Sequence, residues 1–174
     1  MDTYGKIDVM FNNAGTGVNK PLLQHEPEDY DKVVKVNQYG VYYGILAAGR
    51  KMQQIGSKGV IINTASVYAY VGTPGVIGYH AAKGAVRIMT QAAALELAPY
   101  GIRVVGVAPG GVDTQMLQGY KDAGLEDVMA RKHMRRRLLT PEQIANVVAF
   151  LASDESDVIN GSIVMADDGL VEFR

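Results

Sequence analysis

Four short apolar runs rich in β-branched residues constrain the fold of this chain more than any other feature. They cover residues 7–11, 60–63, 102–107 and 162–166. None alternates strictly between apolar and polar residues, a pattern typical of strands that are buried on both faces of a parallel sheet. Because helical stretches separate the runs, the sequence predicts an α/β fold in which a parallel sheet of about four strands is flanked by helices.

The predicted helices carry recognisable start and stop signals. Residues 27–54 open with a proline in the first turn, and residues 79–101 are rich in alanine and end at a glycine. A third helix begins after Thr140, where Gln143 stands three residues later and predicts a capping box. No linker or internal repeat interrupts the 174 residues, so we expect one domain over residues 1–174.

Composition excludes several classes of function. The formal net charge of -1 gives no general attraction to nucleic acid or to an anionic membrane. No apolar run approaches the roughly 20 residues of a membrane span, and the N-terminus does not resemble a signal peptide, so we expect a cytoplasmic protein. The chain has no cysteine and three scattered histidines. We therefore expect no metal site, and we expect His80 and His133 to lie on the surface.

A glycine-rich phosphate-binding turn is missing from the start of the chain. A dinucleotide-binding domain usually opens with a strand, such a turn and a helix that holds the pyrophosphate. Gly15 and Gly17 lack a third glycine, while Gly40 and Gly44 fall inside a predicted helix, where close packing explains them better. A complete fold would need roughly 60–80 more residues before residue 7. The sequence therefore predicts a truncated Rossmann-like sheet.

Polar residues that could carry chemistry lie near the predicted strand ends. Tyr79 and Lys83 stand four residues apart and share one face of a helix, although such a pair is a weak signal by itself. Ser66 follows the second strand, and Asn37 lies within the first helix. Two further motifs end strands: NNAG at residues 12–15 and PGGVDT at residues 109–114. Parallel sheets bind ligands at this carboxyl edge.

Taken in order, these motifs resemble the short-chain dehydrogenase/reductase family. The C-terminal stretch FLASDESDVINGSIVMADDG is also similar to the family, with Asp168 where glycine is common. The family's N-terminal glycine motif and first three strands have no counterpart here. The resemblance implies the C-terminal two-thirds of such a fold, and an oxidoreductase that transfers a hydride between NAD(P) and an alcohol or carbonyl substrate.

The resemblance also implies roles for individual residues. Tyr79 would be the general acid/base, and Lys83 would lower the pKa of Tyr79 by its charge and hold the cofactor ribose. Ser66 would hydrogen-bond the substrate oxygen. Asn37 would break its helix locally and seat a water that links Lys83 to solvent. The cofactor would be lined by Asn13, Ala14, Gly15, Tyr79, Lys83, Pro109, Gly110 and Thr114.

Each assignment has a simpler alternative. Ser66 and Tyr79 could be structural, Asn37 could be an ordinary helix residue, and Thr114 could be a helix N-cap. Residues 135–137 fit a solvated run of arginines. Residues 119–139, expected as a loop or short helix over one end of the sheet, contain no chemistry that identifies the substrate.

The missing half leaves two hypotheses about function open. One is an NAD(P)-dependent enzyme, with weak or absent binding of NAD or NADP by this chain and no signal for choosing between them. The other is a truncated, non-catalytic remnant or a fragment that acts as an oligomeric or binding module. The resemblance implies a homodimer or homotetramer assembled through the first two long helices. Residues 7–11 would form an open sheet edge that another copy, the N-terminus or residues 119–139 could cover.

Overall fold

A parallel four-stranded sheet forms the centre of the protein. The computed structural model describes residues 3–172. The strands are β1 (Val9–Asn12), β2 (Gly59–Thr64), β3 (Ile102–Pro109) and β4 (Ile163–Ala166), and they lie side by side in chain order. All three strand pairings are parallel. The predicted α/β class and the number of strands are confirmed.

Helices follow the predicted pattern. They are α1 (Pro27–Val34), α2 (Gly40–Ile55), α3 (Ile77–Leu97), α4 (Gln118–Asp122), α5 (Glu126–Ala130) and α6 (Pro141–Ala152). A π-helical turn, Lys35–Tyr39, joins α1 to α2 without a break. The capping box at the start of α6 is present: the Thr140 hydroxyl accepts from the Gln143 amide at 3.3 Å, and the Gln143 side chain accepts from the Thr140 amide at 3.0 Å.

The two faces of the sheet have separate apolar cores. On one face, Ile61 and Val104 pack against Met52 of α2 and Ala94 of α3. On the opposite face, the alternate strand residues pack against Leu151 of α6; these are Val60, Ile62, Val105 and Val107. Because successive strand residues point to opposite faces, the continuous apolar runs seen in the sequence supply both cores.

Strand β1 forms one edge of the sheet and pairs only with β2. The side chains of Val9 and Phe11 are 44% and 37% exposed, whereas Met10 packs against the core beneath α2 and α3. Among residues 3–172, no strand pairs with the outer edge of β1. Coverage of this edge by a second copy remains a prediction, and a substitution designed to block it belongs at Val9 rather than at Met10.

A chain of buried polar side chains crosses the sheet beneath α2 and α3. The Asn12 amide donates to the Asn63 carbonyl oxygen at 2.8 Å, and the Asn63 amide donates to the Thr90 hydroxyl at 3.0 Å. Thr90 donates in turn to the Val86 carbonyl at 2.8 Å. Every side chain in this network has a partner, as burial of polar groups requires. Gly44 of α2 packs directly on Asn12, since a Cβ atom there would overlap the Asn12 side chain.

Candidate active site

A cavity of about 890 Å³ opens at the carboxyl ends of the strands. Its walls come from the segments that follow β1, β2 and β3, from α3 and α6, and from residues 114–120. The position at this edge of a parallel sheet is where α/β proteins bind ligands. Nearly all the residues for which the sequence predicts a chemical role border this cavity.

Tyr79, Lys83 and Ser66 converge on one wall of the cavity. Tyr79 and Lys83 lie one turn apart on α3, and the Lys83 ammonium nitrogen is 5.5 Å from the centre of the Tyr79 ring. Ser66 precedes a single 3-10 turn, and its hydroxyl accepts a hydrogen bond from the Tyr68 amide at 3.2 Å. That geometry leaves the hydroxyl proton of Ser66 free to point to a second acceptor.

Burial sets the acidity of Tyr79. Desolvation raises the pKa of Tyr79 above its ordinary value of 10, and a hydrogen bond with Ser66 offsets part of that effect. The sequence predicts instead that Lys83 lowers the pKa of Tyr79. In the structure burial dominates and raises the pKa, so the expectation of a lowered pKa is wrong. Tyr79 is therefore a protonated hydroxyl at neutral pH.

Lys83 is buried although it is a cation. Only 2% of the residue is exposed, and its ammonium group donates to the Thr64 carbonyl at 2.6 Å. Burial lowers the pKa of Lys83 to about 8, because a desolvated ammonium is less stable than a desolvated amine. A lysine with a pKa near neutrality in a cavity is typical of functional sites.

Replacement of Lys83 with methionine should change how stability depends on pH. The folded pKa is about 8 and the unfolded value is 10.5, so the unfolded wild type binds more protons between these values. The free energy of unfolding of the wild type should therefore rise between pH 8 and pH 10.5, by at most about 3 kcal/mol. This added stability is lost again as the pH falls from 10.5 to 8. Lys83→Met should lack this rise and be at least as stable at pH 7.

Urea unfolding of both proteins at pH 7, 8, 9 and 10 measures the difference directly. Tyr79 titrates in both proteins, so its contribution largely cancels when one curve is subtracted from the other. Parallel stability curves would show that Lys83 is not desolvated in the folded protein.

Asn37 lies behind the cavity wall and is fully buried in the π-helical turn. Its side-chain oxygen accepts from the Thr16 amide at 3.0 Å, and its amide donates to the Thr16 carbonyl at 2.7 Å and to the Val33 carbonyl at 3.1 Å. A Cβ atom on Gly15 would lie 2.8 Å from the Asn37 oxygen. Asn37 thus interrupts the regular helix, as predicted, and fixes the segment after β1. Its proposed link to Lys83 through water remains a prediction.

The residues predicted to line the cofactor all border the cavity. They are Asn13, Ala14, Gly15, Pro109, Gly110 and Thr114, together with Tyr79 and Lys83. The Asn13 side-chain oxygen accepts from the Thr64 hydroxyl at 3.0 Å, which ties the ends of β1 and β2 together. Thr114 precedes a single 3-10 turn, but its side chain does not cap that turn. Thr114 therefore occupies the N-cap position, as the simpler alternative predicts, but its side chain makes no capping hydrogen bond.

Both histidines that the sequence placed on the surface lie elsewhere. His133 is only 2% exposed, and its Nε2 atom accepts from the Gly111 amide at 2.9 Å. His80 is half-buried, with Nδ1 at 2.7 Å from the Tyr68 carbonyl and Nε2 at 3.0 Å from the Thr73 amide. The expectation was wrong because the partners are distant in sequence or lie in a loop without regular spacing.

The arginine run at residues 135–137 is exposed, as predicted, but Arg135 is held by an ion pair with Asp168. Arg135 donates through Nε to the Asp168 carboxylate at 2.6 Å, and its backbone amide donates to the same carboxylate at 3.0 Å. Burial of the carboxylate acts to raise the pKa of Asp168, but the two hydrogen bonds and the charge of Arg135 together outweigh it and lower the pKa. Asp168 adopts a positive φ of 50°, a conformation that favours glycine. The two hydrogen bonds give a reason for an aspartate at this position.

Two features are absent from residues 3–172. No helix there combines the length and apolar character needed to cross a membrane. No cluster of three histidine, aspartate or glutamate side chains in the same range is arranged to hold a metal ion.

Comparison with known proteins agrees with this geometry. The profile of a family described as enoyl-(acyl carrier protein) reductase matches residues 1–171. The L-2,3-butanediol dehydrogenase of Corynebacterium glutamicum is 40% identical over 98% of this chain and 70% of its own length. The chain belongs to the short-chain dehydrogenase/reductase family. A cyclopentanol dehydrogenase of Comamonas testosteroni, another relative, is 36% identical over 94% of this chain and 66% of its own length.

Solved structures of short-chain dehydrogenases/reductases superpose closely on this chain. Levodione reductase gives a TM-score of 0.92 at 34% identity, covering 99% of this chain and 70% of its own. A gluconate 5-dehydrogenase from Burkholderia cenocepacia, in complex with NADP and tartrate, also gives 0.92 at 34% identity, covering 98% and 67%. The chain thus spans about two thirds of the length of these members, and the four-stranded sheet corresponds to part of their larger fold.

Proposed function

We propose that this protein is an NAD(P)-dependent oxidoreductase that interconverts an alcohol and a carbonyl compound. The observation that carries the proposal is the convergence of Tyr79, Ser66 and Lys83 on one wall of the cavity. A proton donor, a second hydroxyl and a buried cation are the groups that a carbonyl reduction needs around the reacting oxygen. Family membership supports the same reaction class.

In this proposal Tyr79 moves the proton. During reduction its hydroxyl donates to the carbonyl oxygen, and during oxidation the same oxygen takes the proton back from the alcohol. Burial raises the pKa of Tyr79, which suits the donor role at neutral pH. Ser66 hydrogen-bonds the substrate oxygen and orients it toward Tyr79. Lys83, when protonated, stabilises the tyrosinate that forms, because opposite charges close together in a desolvated site attract strongly.

The cavity fits the nicotinamide and ribose part of a dinucleotide cofactor. Asn13 and Gly15 border one side, and Pro109 and Gly110 border the other. The Thr114 hydroxyl donates to the Val112 carbonyl at 3.4 Å and does not cap the next turn, so its oxygen can accept from a cofactor amide. When bound, the nicotinamide accepts or donates the hydride. Among the described residues no glycine-rich turn leads from a strand into a helix of the kind that holds a pyrophosphate. We therefore propose weak cofactor binding by this chain alone, without a preference for NAD or NADP.

The cavity wall favours a neutral substrate. Among its described lining residues Lys83 is the one charged side chain, and it lies on the inner wall, where its ammonium donates to the Thr64 carbonyl. The outer wall is apolar and includes Met116, Leu117 and Ile144. A carboxylate placed there would lose its hydration without gaining a partner. A small uncharged secondary alcohol or ketone is the substrate class that we propose.

The open edge of β1 supports a second candidate, a binding or oligomeric module without catalysis.

We propose that residues 1–174 form a single domain corresponding to the C-terminal two-thirds of the family fold. We also propose that copies associate as a homodimer or homotetramer through α2 and α3. These helices expose large side chains; among them are Tyr42, Tyr43, Ile88 and Leu95. Exposed apolar groups on packed helices are typical of subunit interfaces.

Calorimetric titration and turnover assays separate the two candidates. Titration with NADH and NADPH should give dissociation constants above about 10 μM. The described residues lack the glycine-rich turn that binds the pyrophosphate, and each charge-assisted phosphate contact is worth roughly 1.5–3 kcal/mol of binding free energy. At saturating NAD+ or NADP+, cyclopentanol and 2,3-butanediol should be oxidised and gluconate should not. Absence of turnover with every alcohol, despite cofactor binding, would favour the module. Turnover of gluconate alone would refute the neutral-substrate proposal and leave the reaction class intact.

A further inference from the structure

We propose that His133 is a positioning residue that holds residues 109–112 in the conformation that receives the nicotinamide. The inference rests on the proposed function, because its consequence is expressed through the cofactor. His133 follows α5 in the segment that leads to α6, and it is buried against the end of β3. No motif in the sequence pointed to this residue.

The first step is the hydrogen bond from Gly111 to His133. The Gly111 amide donates to Nε2 of His133 at 2.9 Å, so this nitrogen carries no proton in the folded protein. The same segment also holds the other polar group of Gly111, since the Leu139 amide donates to the Gly111 carbonyl at 2.9 Å. Both backbone groups of Gly111 are therefore fixed by the segment that contains residues 133–139.

The second step is the close packing of the imidazole on bare backbone. A Cβ atom on Gly110 would lie 2.6 Å from Nε2 of His133, and one on Gly111 would lie 3.0 Å from Cε1. The ring occupies space that a side chain at either position would need. The pair of glycines after Pro109 and the imidazole thus fit together, and movement of His133 would move residues that border the cavity.

The third step is that the imidazole pairs the Gly111 amide while one of its own polar atoms is left without a partner. With Nε2 as acceptor, the neutral ring carries its proton on Nδ1, and within residues 3–172 this buried atom has no hydrogen-bond partner. A buried donor without a partner destabilises the folded state. A leucine would remove the unpaired Nδ1 donor but would leave the buried Gly111 amide without its acceptor. The gain from the imidazole is therefore a paired Gly111 amide in a fixed position.

The segment that carries His133 is itself anchored at the end of β4. The Met134 amide donates to the Asp168 carbonyl at 2.9 Å, and Arg135 bonds the Asp168 carboxylate. Gly110 also donates its amide to the Ala166 carbonyl at 3.1 Å. These bonds give His133 a fixed support, so the imidazole can transmit that rigidity to residues 109–112.

Two substitutions test the proposal. His133→Leu removes the acceptor, whereas His133→Gln supplies a side-chain oxygen in place of Nε2. Hydrogen exchange of the Gly111 amide, measured by NMR, should be about tenfold or more faster in the leucine variant and close to wild type in the glutamine variant. The dissociation constant for NADPH should rise about tenfold with leucine, the loss expected for one hydrogen bond, and should recover within about threefold with glutamine.

Several outcomes would overturn the proposal. One is wild-type exchange at Gly111 in the leucine variant. Another is equal loss of NADPH affinity in both variants, which would indicate a packing role for the ring. If the leucine variant does not fold, His133→Asn replaces it, because its shorter carbonyl does not reach Gly111. If no variant and not even the wild type binds NADPH, the proposed function fails, and the exchange rate of Gly111 still decides the role of His133.

Discussion

Replacement of Tyr79 with phenylalanine is expected to lower kcat for ketone reduction by at least about a hundredfold while leaving the fold unchanged. The substitution removes one hydroxyl from a partly buried ring that lines the cavity, and that hydroxyl is the proton donor of the proposed reaction. Positioned general acids and bases contribute typically 10²–10⁴-fold to a rate. Steady-state kcat with cyclopentanone and a saturating reduced cofactor is the quantity to measure.

Tyr70→Phe is the matched control for this prediction. Tyr70 lies outside the cavity lining, and its ring stacks with the Arg87 guanidinium at 4.5 Å, a contact that phenylalanine preserves. Its kcat should stay within about twofold of wild type, and the cofactor affinity of both variants should be unchanged. A Tyr79→Phe protein that keeps half of its activity would remove Tyr79 from the catalytic role.

Replacement of Gly44 with alanine is expected to destabilise the protein by about 2–6 kcal/mol. The added methyl would overlap the side chain of Asn12, which is buried and bonded to Asn63. Forced overpacking costs typically 1–3 kcal/mol, and a broken buried hydrogen bond adds a further 1–3 kcal/mol. For a chain of this size each kcal/mol lowers the melting temperature by about 2–4 °C.

Gly40→Ala provides the comparison, since Gly40 lies one turn earlier on the same helix and a Cβ atom there would meet nothing within 4 Å. It should be neutral or stabilising by up to about 1 kcal/mol, because alanine favours the helix more than glycine does. Thermal unfolding followed by circular dichroism measures both variants. Equal melting temperatures for the two would show that α2 does not pack on Asn12 as described.

Local patterns in the sequence were sufficient for the elements and for part of the site. The strands and long helices follow from runs of apolar residues, and the capping box at Thr140 depends only on residues three apart. Tyr79 and Lys83 face the same side because four residues make about one helical turn. Ser66 and Pro109 reach the same cavity because parallel strands end at one edge of the sheet.

Features that depend on packing could not be predicted in this way. The burial of His133 depends on Gly111, 22 residues earlier. The direction of the pKa change of Tyr79 depends on how completely α3 packs, and no spacing in the sequence encodes that quantity. Met10 and Val9 are both apolar, so sequence gave no reason to assign one to the core and the other to solvent.

The buried chain from Asn12 through Asn63 to Thr90 has a consequence for the accuracy of folding. Asn12 and Asn63 are direct neighbours across β1 and β2. If β1 slipped by one residue, the two amides would point to opposite faces and each would be buried without its partner. Apolar neighbours such as Val9 and Val60 would tolerate that error more easily. The polar pair therefore disfavours misaligned pairing of β1 with β2, and it keeps Asn13 beside Thr64 at the edge of the cavity.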